Sequence, residues 1–135
     1  MTTVADPMVA LGPYIEGWQS RDVNLILSAC TDDIVFNEAP MPEPVRGKQA
    51  FREYLSAFFA AFPDFALEAT NMAPAGDQVW AEWVVRGTQR RDFAGIPAKG
   101  GRMDIRGASV FVIRGGKVAE ERLYWDAATL QQQLS

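Results

Sequence analysis

Histidine is missing from all 135 positions of the chain, which removes Ser-His-Asp and Cys-His mechanisms and the common zinc-hydrolase sites. Proton transfer, if there is any, falls to carboxylates, Tyr, Lys or water. Cysteine occurs once, at Cys30, so no internal disulfide can form, and its apolar neighbours point to a buried thiol in a reducing compartment. No stretch approaches the roughly 20 apolar residues of a membrane span, and the N-terminus lacks the basic start and apolar centre of a signal peptide. The expectation is a soluble, cytoplasmic protein without a membrane partner. Positive charge is scarce too: the net charge is −4 and basic residues do not cluster or interleave with aromatics, which argues against nucleic acid as a partner. The adjacent acids Asp32 and Asp33 read as turn and capping residues, no spacing suggests a metal, and no cofactor is expected.

What remains is apolar patterning over a length suited to one domain, residues 1–135. An opening helical region spans about 6–30, with Met8, Leu11, Ile15, Trp18, Leu25 and Ile26 on apolar positions. Pro13 marks a first turn or a kink there, and Ser20-Arg21-Asp22 re-caps a second segment. A short strand at 33–38 precedes an extended loop held by Pro40, Pro42 and Pro44. Gly47 opens a helix in which Phe51, Leu55, Phe58, Phe59 and Phe62 recur at helical spacing, and Pro63 stops it. Strands are then predicted at 65–73, 78–88, 102–114 and 117–125. Gly76-Asp77 joins the first pair and Gly115-Gly116 the last. Asp126 is placed as the N-cap of a closing helix that ends near residue 134.

Helices first and strands afterwards predict an α+β domain, a curved antiparallel sheet wrapped around its N-terminal helices. The last two strands are apolar on both faces, so one face is assigned to the helices and the other to a partner subunit in a homodimer. Ten of the 13 basic residues are Arg. Arg86, Arg106, Arg114 and Arg122 fall in predicted strands near Glu82, Glu120 and Glu121, where cross-strand pairs are expected. The concave side predicts a pocket lined by Tyr14, Trp18, Phe36, Phe58, Phe62, Trp83 and Trp125, suited to a small hydrophobic ligand.

Motifs add to this reading: F-x-G-I-P-x-x-G at Phe93, G-K-V-x-E at Gly116, Y-W-D at Tyr124, A-F-P-D at Ala61 and D-D-x-V-F at Asp32. With the Gly47 helix start, they resemble the SnoaL-like polyketide cyclase branch of the nuclear transport factor 2-like superfamily, whose cystatin-like half-cone serves isomerases, cyclases, epoxide hydrolases, dehydratases and non-catalytic modules. The stretch from Tyr14 to Gly47 is similar to the first half of ketosteroid isomerase. That resemblance implies a phenol at Tyr14 that donates to a substrate oxyanion and a proton-shuttling carboxylate at Glu38. The isomerase's second donor, a protonated Asp, would match Ser109 or Gly107, and neither carries a carboxyl group. The limonene-epoxide-hydrolase pattern would fall on Trp83, Val85, Leu123, Phe36 and Glu38, with none of its identities present. The cyclases' His would match Ser109, and their Asp would match Leu123 or Glu121.

Glu38 ends an apolar strand with no basic residue close by before Arg46. Turned inward, it would lose solvation, its pKa would rise toward neutrality, and it could act as a general base; turned outward, it is a solvated strand end. Tyr14 would then serve as oxyanion donor or as an ordinary core residue. Ser109 is assigned to the pocket with Leu123, and Glu121 can face it while Glu120 faces away, because strand neighbours alternate. Asp126 is a helix cap or an acid at the sheet's mouth. Two functional readings stay open: a cofactor-independent isomerase or aldol-type cyclase acting on a carbonyl compound, and a non-catalytic ligand-binding or assembly module.

Overall fold

The structure, a computed structural model, describes residues 6–135. Helix α1 (Pro7–Ser20) starts under the side chain of Asp6, which accepts from the Met8 N–H, and Pro7 fills a first-turn position where no N–H is needed. Pro13 lies inside the helix. Arg21 adopts a left-handed conformation with φ of 57°, which ends α1; Asp22 then caps α2 (Val23–Ser28) by accepting from the Leu25 N–H. The predicted opening helical region is therefore two helices, which pack closely at Gly17, where any Cβ would run into Ile26.

Strand β1 (Cys30–Glu38) begins three residues earlier than predicted, and β2 (Val45–Arg46) is a short pair formed across the proline-rich loop. Helix α3 (Lys48–Ala61) follows Gly47, whose φ of 86° suits glycine. Four strands come next: β3 (Ala66–Ala75), β4 (Gln78–Thr88), β5 (Arg102–Arg114) and β6 (Lys117–Tyr124). Gly115 and Gly116 both have positive φ, as a two-residue hairpin turn between right-twisted strands requires. Asp126 caps α4 (Ala127–Leu134) by accepting from the Ala128 N–H and the Thr129 hydroxyl.

The six strands form one curved, unclosed sheet in the order β2-β1-β6-β5-β4-β3. Its pairs are antiparallel except β1 with β6, which run parallel. Register shifts at Ala69/Asn71 and Val112/Ile113 place irregularities in both long hairpins, and such bulges increase bend and twist. Helices α1 and α3 fill the concave side, giving the α+β architecture read from the sequence. There Trp18 meets Phe36, Phe51, Phe58, Phe59 and Phe65 with ring centroids 5.6–6.4 Å apart. Such edge and offset contacts add to the burial energy of the rings.

Alternation along the strands sorts the rest. On β4 Val79, Ala81 and Trp83 point inward, and on β5 Phe111 and Ile113 do. The outer face leaves Trp80 and Tyr124 about half exposed, at 56% and 51%. Arg side chains pair outside the core: Arg86 with Asp104, Arg114 with Asp33 and Arg122 with Glu120. Of the acids expected to pair across strands, Glu120 meets Arg122 within β6, Glu82 accepts from Asn71, and Glu121 meets no arginine, because the parity that turns Glu120 outward turns Glu121 into the core. No helix among the described residues is long and apolar enough to cross a membrane.

Candidate active site

The concave side holds a cavity of about 270 Å³. Its floor is the sheet, α1 and α3 form its sides, and Phe93–Ile96 and α4 form its rim. Those rim residues are placed by a tight turn in which Phe93 and Ile96 exchange backbone hydrogen bonds of 3.1 and 2.9 Å, with positive φ at Ala94 and Gly95 between them. Phe93 then packs on Tyr54, Phe58 and Phe62.

Two carboxylates reach this cavity, and the parallel register explains why they share it. Phe36 stands opposite Glu121 and Glu38 opposite Leu123, so alternate residues of β1 and β6 turn all four side chains to one face. Each carboxylate is held by neutral donors. The Tyr14 hydroxyl donates to Glu121 Oε1 at 2.5 Å and the Ser109 hydroxyl to Oε2 at 2.8 Å; the Trp83 indole N–H in turn donates to Ser109 at 2.8 Å. The Tyr54 hydroxyl donates to Glu38 Oε1 at 2.6 Å and the Trp125 indole N–H to Oε2 at 3.0 Å.

Burial sets the protonation chemistry. Desolvation pushes Glu121 up to about 7, with the nearby Glu38 charge pushing the same way and the Tyr14 and Ser109 bonds opposing it. Glu38 is also raised by desolvation, and the Tyr54 and Trp125 bonds hold the rise in check. Both phenols, Tyr14 and Tyr54, are driven well above the ordinary tyrosine value, first by burial and then by the adjacent carboxylate, so they remain donors. Cys30 is buried, its thiol pushed up to about 12, and it does not border the cavity.

Glu38 is only 8% exposed, so the solvated alternative does not hold. Glu38 and Tyr14 border the same cavity, but the Tyr14 hydroxyl is spent on Glu121, and a different phenol, Tyr54, serves Glu38. Trp18, Phe36, Phe58, Phe62, Trp83, Leu123 and Trp125 all border the cavity. Ser109 does not: it is 1% exposed and its hydroxyl is engaged by Glu121 and Trp83, so it positions Glu121 rather than facing a ligand. Asp126 caps the exposed start of α4, its carboxylate accepting from the Ala128 N–H and the Thr129 hydroxyl; it does not itself line the cavity, although its neighbours Trp125 and Ala127 do. Gly107 has a steric reason for lacking a side chain, since any Cβ there would overlap the Trp83 indole.

Tyr54 is the residue that sequence reasoning passed over. It sits one helical turn before Phe58, and their rings stack with planes 5° apart, so its spacing was a usable signal. Replacing Tyr54 with Phe removes a bond that lowers the Glu38 pKa. The acidic limb of any Glu38-dependent rate is therefore expected to move to higher pH, measured as a rate–pH profile; an unmoved limb would separate the two residues.

Comparison with known proteins fits this architecture. The SnoaL-like polyketide cyclase family matches residues 8–134, nearly the whole chain. The chain belongs to this family. A SnoaL-like polyketide cyclase from Jannaschia sp. CCS1, named as putative, superposes with a TM-score of 0.84 at 18% identity, covering 99% of this chain and 98% of its own. A Mycobacterium tuberculosis epoxide hydrolase of the limonene type gives 0.76 at 17%, covering 95% and 88%. A Catenulispora acidiphila protein of ketosteroid isomerase-like fold, solved with trimethylamine, gives 0.76 at 16%, covering 98% and 94%. At such identities the likeness extends to the fold alone. No curated protein is detectably similar to the chain. This chain has no histidine, and the Ser109 hydroxyl on β5 donates to Glu121 on β6.

Proposed function

We propose that this SnoaL-like protein binds a small hydrophobic carbonyl compound in the cavity and removes a proton from the carbon beside the carbonyl, the opening step of isomerisation and of aldol-type cyclisation. The observation that supports it is the pair of buried carboxylates, each clasped by a phenol inside an aromatic cavity. Glu38 is the base: the C–H bond breaks, the proton passes to a Glu38 oxygen, and negative charge develops on the carbonyl oxygen. Glu121, with a pKa of about 7, is partly protonated near neutrality and supplies the O–H that receives that charge, while the Tyr14 hydroxyl, donating to its Oε1, holds it in place. The carboxyl group missing at Ser109 and Gly107 thus comes from the neighbouring strand. The enolate then takes its proton back at carbon or attacks a second carbonyl.

The test is deuterium incorporation from solvent into 4-ethylacetophenone, followed by NMR with and without protein. Protein-dependent exchange supports the proton-transfer reading. Binding without exchange favours the rival, a non-catalytic ligand-binding module. The outer sheet face, with Trp80 and Tyr124 half exposed around Val110 and Arg122, is proposed as the homodimer contact. Sedimentation at micromolar concentration is expected to give a dimer, and Trp80→Lys with Tyr124→Lys a monomer; a monomer from the unaltered chain would discard the contact.

A further inference from the structure

The walls of the cavity carry acid and no base. Glu38 and Glu121 border it, while among the described residues no Arg or Lys does, and the chain has no histidine. The ion pairs found among the described residues, Lys48 with Asp32, Arg86 with Asp104, Arg114 with Asp33 and Arg122 with Glu120, all leave the two buried carboxylates without a counter-ion. Only neutral donors hold them: two phenols, an indole and a hydroxyl. A carboxylate offers about four lone-pair positions, and two are occupied on each, so both retain acceptor capacity.

A second feature of the same cavity is independent of the acids. Tyr54 and Phe58 lie with planes 5° apart, and Phe93 meets both with its ring at 74° and 72°. All three rings border the cavity with Trp18 and Trp125. Aromatic faces carry negative electrostatic potential and attract an ammonium group, more so where water is excluded.

We propose that the cavity selects its occupants by charge: its preferred ligand is a ketone bearing a protonated amine, and carboxylates and phosphates are excluded. The inference rests on the reading of the cavity as the ligand site, and does not need turnover. One unopposed carboxylate about 6 Å from a unit charge, at an effective dielectric constant of about 20, changes affinity about a hundredfold. Stripping water from the ammonium takes part of that back, so a net preference of about tenfold over a neutral analogue is expected. For an anion repulsion and dehydration act together, and the expected loss is about a hundredfold.

Three probes of one skeleton test this by calorimetry at pH 7.5: 4-(aminomethyl)acetophenone as cation, 4-ethylacetophenone as neutral compound and 4-acetylbenzoate as anion. The amine is expected to bind about tenfold tighter than the ethyl compound, and the benzoate to show no measurable binding. In Glu38→Gln the ratio of amine to ethyl affinity is expected to fall to within about threefold. Benzoate within threefold of the ethyl compound, or an amine no tighter than it, would overturn the proposal, and this ranking in the unaltered protein holds whether or not the variant folds. An amine preference undiminished in Glu38→Gln would overturn the role of that carboxylate. Ethyl compound that binds without exchanging deuterium would count against proton transfer alone. If none of the three binds, the cavity is not a ketone site and charge selection falls with it.

Discussion

Glu38→Gln is expected to lower the rate of solvent-deuterium exchange into 4-ethylacetophenone by about 10²–10⁴-fold, the usual contribution of a positioned general base. Gln keeps the size of the side chain, and its oxygen can accept from the Trp125 N–H while its NH2 donates to the Tyr54 oxygen, so affinity for the ketone is expected to stay within a few-fold. A large loss of rate with little loss of affinity is what removal of a proton acceptor produces, because the interaction matters only once the proton begins to move. A structural role would weaken binding and exchange together. Exchange that continues at the original rate in Glu38→Gln would remove Glu38 as the base and turn attention to Glu121, the other carboxylate bordering the cavity.

Stability is expected to fall as pH rises from about 4.5 to about 7, against the common trend for carboxylates. Glu121 binds its proton more tightly in the folded protein, with a pKa of about 7, than in the unfolded chain, where 4.5 is ordinary. Between those values the folded state holds a proton that the unfolded state has lost. Folding stability is therefore fully present below the lower value, declines through the window and levels off above the upper one. A difference of this size corresponds to about 3 kcal/mol. Glu38, raised in the same direction, adds to the slope. Asp33, Asp64 and Asp126 are lowered, so their contributions are lost only as pH falls through the acidic range below this window. Urea titrations at pH 5 and pH 8 are expected to show the decline, and Glu121→Gln to remove most of it. A curve that is flat or rising across the window, or a slope unchanged in Glu121→Gln, would mean that Glu121 is not buried as a proton-binding group.

Local chemistry made much of this readable in advance. The Gly115-Gly116 hairpin, the Asp126 cap and the α3 spacing each depend on neighbours a few residues away, where turn geometry, capping and helical period act directly. The motifs at Phe93, Gly116 and Tyr124 carried the family, and the family carried the half-cone. The break at residues 20–22 was legible too, since Asp22 is a capping residue, although the left-handed arginine that makes it has no composition cue of its own. The two-residue β2 was hidden in a proline-rich loop, and its pairing depends on β1 lying beside it. The parallel pairing of β1 with β6 was unreadable for a similar reason: nothing in either strand states which partner it takes.

That pairing decides the site. Tyr14 and Glu121 are 107 positions apart in sequence, and their hydrogen bond exists only because α1 lies across the sheet where β6 turns that carboxylate inward. Sequence favoured Glu38 with Tyr14 because the spacing resembled one family, while Glu121 had a plausible outer role among the strand arginines. Alternation alone could say that Glu120 and Glu121 face opposite ways, but not which faced in.

By itself the sequence determined the inventory and its limits: no histidine, one cysteine, an aromatic-rich core and carboxylates as the available acids and bases. It also determined the element types, since helical period, strand alternation and turn residues act over short range. Only the tertiary structure decided which acids are dry and which donors hold them. Burial and hydrogen bonding are properties of the space between elements, and that space is formed when the parallel contact of β1 with β6 and the packing of α1 bring distant segments together.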